Sequence, residues 1–136
     1  MKILKEHFGF EEKLNYVFLE NSKGKVYIIS TDLANLELSN LRIDSLGLYF
    51  GKLEKDGLRL SIEGSQIIGP KAKKNVLEIK KGTRDIWIKG YDTEIQGNPG
   101  FVIIKHKDDF MGCGKLNNNK LYNYVPKNRR LVVIND

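Results

Sequence analysis

The groups in this chain that could do covalent or metal chemistry are few: one thiol, Cys113, two imidazoles, His7 and His106, and scattered carboxylates. Cys113 and His106 could in principle serve as nucleophile and base. A cysteine flanked by Gly112 and Gly114 in an apolar stretch, however, is the pattern of a buried, inert thiol. Asp108 and Asp109 are adjacent in a turn, where neighbouring carboxylates seldom converge as an acid/base pair. A metal centre needs three or four convergent donors, so with these three N and S ligands no metal site is expected. Gly64 and Gly69 have the glycine spacing of a phosphate-binding loop, but Pro70 stands where its lysine belongs and removes a backbone donor. Gly112-Cys113-Gly114 has Asn117 where a dinucleotide fingerprint needs its third glycine, and a β-bulge or a close strand contact explains these glycines better. No catalytic constellation and no cofactor site emerge, and the chain is expected not to be an enzyme. An enzyme built on Cys113 or His106 is the reading from another class.

What does stand out is the cations and the aromatic rings between them. Lys71, Lys73 and Lys74 form one cluster, and Lys80, Lys81, Arg84 and Lys89 flank a potential helix. In residues 120–130, Lys120, Lys127, Arg129 and Arg130 interleave with Tyr122 and Tyr124. Period-two alternation puts Lys120, Tyr122 and Tyr124 on one face of a strand. Rings stack on unpaired bases while ammonium and guanidinium groups take phosphate, the mixture used on single-stranded or distorted RNA. The same segment also suits an edge strand covered by tyrosines and guarded by charge against edge pairing.

The charge is unevenly distributed. Of the net +6 over 136 residues, residues 1–61 contribute none, with 9 basic and 9 acidic side chains, while residues 62–136 carry 14 basic and 8 acidic ones. A local positive field concentrates polyanions, and each cation that meets a phosphate releases a counterion. A net charge of this size also serves solubility. The apolar content of 40% is enough to build a core. No apolar run exceeds about four residues, so no membrane span of roughly 20 residues is expected. The first six residues include Lys2, Lys5 and Glu6 and no apolar leader, and a single cysteine cannot close an intramolecular disulfide. A reducing, cytoplasmic location is the simpler expectation.

The elements that must position these side chains are mostly short strands. Residues 14–20 and 25–30 alternate around the turn Asn21-Ser22-Lys23-Gly24 and predict a hairpin. Leu33, Leu36, Leu38 and Leu41, with Thr31 or Asp32 as N-cap, suggest at most two helical turns. Residues 46–53 and 58–62 predict a second hairpin closed by Glu54-Lys55-Asp56-Gly57. Ile67 and Ile68 should face a core, and Gly69-Pro70 forces a stop, which makes the stretch after Ser61 the candidate domain boundary. Residues 76–80 read as a strand. Gly82-Thr83 could open a helix to Lys89 with Gly90 just past its end, although Ile86-Trp87-Ile88 would suit a strand equally. Strands follow at 101–106 after the turn Gly97-Asn98-Pro99-Gly100, at 110–116, at 120–125 and at 131–134, which implies a small barrel or curled sheet.

Two stretches resemble the PUA-domain proteins, whose small pseudo-barrel binds RNA. Residues 44–52 through Leu58-Arg59-Leu60 resemble the pre-PUA half of ribosome-biogenesis factors of the Nip-seven type. Residues 100–104 and 110–115, with the tail Asn123-Tyr124-Val125-Pro126-Lys127-Asn128-Arg129-Arg130, resemble the C-terminal PUA domain of Sun/Fmu-type RNA cytosine methyltransferases. The resemblance implies an α+β pre-PUA-like segment at 1–61 followed by a mostly-β PUA pseudo-barrel at 62–136. It makes 76–80 the first PUA strand and 83–89 the short helix after it. It also implies that this helix, the glycine loop after it and a late strand form the RNA-contacting face. That face would carry Arg84, Lys89, Gly90, Lys120, Tyr122, Lys127, Arg129 and Arg130.

The expected function is non-catalytic binding of structured RNA, rRNA or tRNA, in ribosome biogenesis or rRNA maturation, with the neutral N-terminal half free to meet a protein partner and no role at a membrane. The alternative is an accessory subunit that targets a separate tRNA- or rRNA-modifying enzyme, such as a cytosine methyltransferase, to its RNA.

Overall fold

A computed structural model describes residues 2–31 and 47–130. The two-turn helix expected over Leu33 to Leu41 and the closing strand at 131–134 lie outside these described residues.

The first hairpin forms as its turn chemistry dictates. Strands β1 (Tyr16–Glu20) and β2 (Lys25–Ser30) pair in antiparallel register from Tyr16 opposite Ser30 to Glu20 opposite Val26. Asn21 closes the turn, its side-chain oxygen accepting the backbone N–H groups of Lys23 and Lys25. β3 (Leu48–Glu54) and β4 (Gly57–Leu60) form the second hairpin, and β1-β2-β3-β4 make one four-stranded antiparallel sheet.

Two short helices were not expected from the sequence. α1 (Lys2–Phe8) buries Leu4 and Phe8 and ends at Gly9, whose φ of +62° lets the Gly9 N–H reach the Lys5 carbonyl. α2 (Ile62–Ile68) corrects the reading of Ile62 as the end of a strand: Ser61 is an N-cap, its hydroxyl oxygen accepting the Gly64 N–H at 2.9 Å and its O–H donating to the Tyr49 carbonyl at 2.7 Å. Gly64 is there because α2 lies hard against β3; a Cβ at that position would collide with the Phe50 carbonyl. Ile68 is fully buried, and the helix passes into a 3-10 turn at Gly69–Lys71.

The second sheet has the order β5-β7-β8-β9-β6. β5 (Val76–Glu78) runs parallel to β7 (Gly100–His106). β8 (Asp109–Asn117), β9 (Lys120–Asn123) and the two-residue β6 (Thr93–Glu94) complete it through antiparallel pairings. Between β5 and β6 runs α3 (Lys81–Ile88), so tertiary packing, with Trp87 buried under the sheet, resolves the helix-or-strand ambiguity in favour of the helix. The register of β7 on β8 shifts between Ile103 and Lys105, which sets Met111 and Gly112 against Ile104 as a β-bulge.

The unbroken apolar run of β7 is explained by its two buried faces. Phe101 and Ile103 join one core with Leu4, Phe8, Phe50, Leu60, Ile68 and Cys113, while Val102 and Ile104 join a second with Ile79, Trp87, Leu116, Leu121 and Val125. The first core takes side chains from both sides of Ser61. The architecture is thus an α+β N-terminal region against a curled, mostly-β sheet of the PUA pseudo-barrel kind.

Candidate nucleic-acid interface

The C-terminal end of α3 is the best-organised part of the basic half. Lys89 caps the helix and Gly90, at φ +89°, turns the chain out of it, as the sequence pattern anticipated. A Cβ on Gly90 would collide with Cδ and Nε of Arg130. The Arg130 side chain thus lies directly on the glycine, and its Nε donates to the Val125 carbonyl at 3.0 Å. Asn123, at the end of β9, fastens the loop from the other side. Its Nδ2 donates to the carbonyls of Trp87 at 2.8 Å and Tyr91 at 3.2 Å, and its backbone N–H donates to the Asp92 carboxylate at 2.9 Å. Lys120 reaches the same loop through Asp92, Nζ to Oδ2 3.8 Å, and lies 5.1 Å from the Tyr122 ring centre.

Lys89, Gly90, Lys120, Tyr122 and Arg130 are therefore gathered around one loop, which Asn123 holds by side-chain bonds to the carbonyls of Trp87 in the last turn of α3 and of Tyr91 just beyond it. Lys80 and Lys81 sit at the opposite end of α3, about 12 Å away along an eight-residue helix. Arg84, on the helix between them, bonds its neighbour Asp85. Lys127 and Arg129 lie on the 3-10 turn Lys127–Arg129, with Arg129 Nη1 2.5 Å from the Glu63 carboxylate.

Lys71, Lys73 and Lys74 form a separate cluster. The backbone N–H groups of Lys73 and Lys74 both donate to the Phe8 carbonyl at the end of α1. The Lys73 ammonium bonds Glu11 at 3.0 Å and holds that carboxyl below its usual range. Tyr124 departs from the β9 face: the Arg59 guanidinium lies over its ring at 4.5 Å, and Phe101 lies beside it at 6.2 Å, ring centre to ring centre.

Four of the cations named from sequence have a carboxylate partner: Lys73, Arg84, Lys120 and Arg129. All four pairs are solvent-accessible, and such pairs contribute only about 0–1 kcal/mol, so a phosphate can compete for them. Among the described residues Lys71, Lys74, Lys80, Lys81, Lys89, Lys127 and Arg130 face no carboxylate.

Three residues at this surface escaped sequence reasoning. Tyr91 is 64% exposed, the most open of the large apolar or aromatic side chains in the described residues. It directly follows Gly90, and adjacency to a helix-ending glycine was the one signal that pointed to it. Asn123 and Arg59 act through contacts distant in sequence and left no local mark.

The two groups that could have formed a nucleophile and base are apart. Cys113 is buried in the first core, and burial pushes its thiol up to about 12. His106, which follows Val102 and Ile104 by two-residue alternation on the opposite face of β7, bonds the Ile79 carbonyl through Nδ1 at 2.8 Å. Among the described residues no three His, Cys, Asp or Glu side chains converge as metal ligands, and no helix is long and apolar enough to cross a membrane.

No curated protein matches the chain. A family model described as the methyltransferase RsmF PUA domain matches residues 74–131, which take in β5, α3, β6 to β9 and the 3-10 turn that carries Arg129. The PUA domain is an RNA-binding module, and the matched span contains the fastened Gly90 loop with the cations and rings around it. The chain thus carries, over residues 74–131, a PUA domain similar to that of the Sun/Fmu-type RNA cytosine methyltransferases.

Proposed function

We propose that the chain is a non-catalytic RNA-binding protein that takes structured RNA, rRNA or tRNA, and works in ribosome biogenesis or rRNA maturation in the cytoplasm. The observation that carries this reading is the seating of Arg130 on Gly90, inside the span matched as a PUA domain. It fixes a guanidinium beside Lys89 and the exposed Tyr91 on a loop that Asn123 holds in place. Preorganised cations gain more from a phosphate than mobile ones, because less side-chain freedom is lost on contact. The burial of Cys113 and its separation from His106 support a role without chemistry of its own. The neutral N-terminal half leaves a surface on which a protein partner would not have to overcome the basic field.

The test is filter binding against structured RNA across a salt series. With about four phosphate contacts, log affinity should fall with log salt at a slope near −3. Absence of binding, or affinity indifferent to salt, would overturn the proposal.

A second reading is favoured by the identity of the matched family, which is a methyltransferase's PUA domain. On that reading the chain targets a separate RNA-modifying enzyme to its RNA. Co-purification of a methyltransferase with the tagged protein, surviving nuclease treatment, would select it over an assembly factor acting alone.

A further inference from the structure

Between the β3–β4 hairpin, the start of α2 and the segment after β9 lies a cleft of about 400 Å³. It joins the N-terminal half to the matched PUA span, and its walls combine three kinds of group. Leu48 and Tyr124, two of the large apolar or aromatic side chains left exposed among the described residues, stand at its rim. The Arg59 guanidinium is laid over the Tyr124 ring, and Arg129 stands on the other wall. Glu63, bonded to one nitrogen of Arg129, and Asn128 add acceptors and an amide. The rim is fixed where Ser61 bonds both the Tyr49 carbonyl and the Gly64 N–H.

We infer that this cleft receives one unpaired nucleotide of the bound RNA, its base stacked in the Leu48–Arg59–Tyr124 corner and its phosphate met by Arg59 or Arg129. An extruded nucleotide presents an apolar ring face, a hydrogen-bonding edge and an anion, and the cleft has a group for each. Its volume lies in the range of small-ligand sites. Arg59 faces Glu54 at 3.8 Å and Arg129 is bonded to Glu63; a phosphate can compete for both of these weak pairs, whereas an uncharged peptide segment would use only the apolar rim. The cleft is also continuous with the loop surface: Arg129 lines it while the next residue, Arg130, lies on Gly90. A strand held on the loop can therefore place a neighbouring nucleotide here. The inference rests on the RNA-binding reading and adds to it a preference for RNA with an unpaired residue.

The experiment compares a hairpin RNA carrying one bulged adenosine with the same hairpin fully paired, against the wild-type chain, Arg59→Ala and Leu48→Ser. Leu48 is exposed, so the second variant guards against a folding defect in the first. The wild type should bind the bulged RNA about tenfold more tightly, which is what one stacked base supplies. Both variants should bring the ratio near one, chiefly through loss of affinity for the bulged RNA, with Leu48→Ser leaving affinity for the paired hairpin unchanged. Equal wild-type affinity for the two RNAs, a ratio untouched by both variants, or a parallel loss on both RNAs would overturn the inference while the RNA-binding reading stands. Failure of the wild type to bind either RNA would take that reading down as well.

Discussion

Arg130 occupies the space that a side chain at residue 90 would need. Gly90 sits at φ +89° with no Cβ, and the Arg130 Cδ and Nε fill the vacancy, tied down by the Nε bond to the Val125 carbonyl. The glycine therefore ends α3 and seats the arginine at once.

Gly90→Ala should accordingly be penalised twice. The left-handed backbone costs an alanine about 1–2 kcal/mol, and the methyl group must expel Arg130. We expect a loss of about 1–3 kcal/mol in urea unfolding. Arg130→Ala in the same chain should return the steric part, so the double variant should be less destabilised than the sum of the singles. Strict additivity would mean that the two residues do not share this space.

Asn123→Ala removes the latch between β9 and the end of α3. It removes the side-chain donor to the carbonyls of Trp87, which keeps the Gly90 N–H, and of Tyr91, and also frees the Val125 N–H, which the Asn123 side-chain oxygen accepts at 2.7 Å. Because the site is partly open to water, the expected cost is about 1–3 kcal/mol rather than the full sum of three lost bonds. Asn123→Asp should do no better, since it turns an oxygen toward two carbonyls. Denaturant midpoints that match the wild type for both variants would show that the latch carries no stability.

Hairpins and the α3 terminus could be read from sequence because their causes are local: Asn21 bonds its own turn, Gly57 takes φ +142° at the β3–β4 turn, and Gly90 must turn left. α2 could not. The alternation Leu58, Leu60, Ile62 continues a strand pattern, and what breaks it is the Ser61 cap together with a groove on β3 that only Gly64 fits. The candidate site divides the same way. Clusters of lysine are visible in a linear string, yet the string does not show that Lys73 turns to Glu11 in the segment after α1, or that Arg59 crosses to Tyr124. Those contacts depend on how the two sheets pack.

Cys113 should resist thiol reagents in the native protein. With the thiol pushed up to about 12 by burial, the thiolate is scarce at pH 8, and the side chain is buried. The consequence for stability has a definite sign. The unfolded chain gives up this proton near the ordinary value of 9.0, whereas the folded chain holds it to about 12. The contribution is fully present below pH 9 and is lost as pH rises through that window. Iodoacetamide labelling should be slow in buffer and fast in denaturant, and urea midpoints should fall from pH 9 upward. Rapid stoichiometric labelling of the folded protein would contradict the burial.

Tyr91 separates binding from folding most cleanly. Its ring is 64% exposed, so deleting it removes almost no packing and should leave stability within about 0.5 kcal/mol of wild type. Its backbone, by contrast, is fixed, with the N–H donating to the Ile86 carbonyl at 3.3 Å and the carbonyl accepting from Asn123. A ring that is free on its faces and rigid at its root loses little entropy when a base settles on it. Tyr91→Ala should therefore weaken binding of RNA with unpaired residues by about 1–3 kcal/mol, roughly 5- to 150-fold, while Tyr91→Phe keeps most of the affinity. Filter binding with both variants decides the matter: loss in both would point to the hydroxyl rather than the ring face, and loss in neither would leave phosphate contacts by Lys89 and Arg130 as the whole of the loop's contribution.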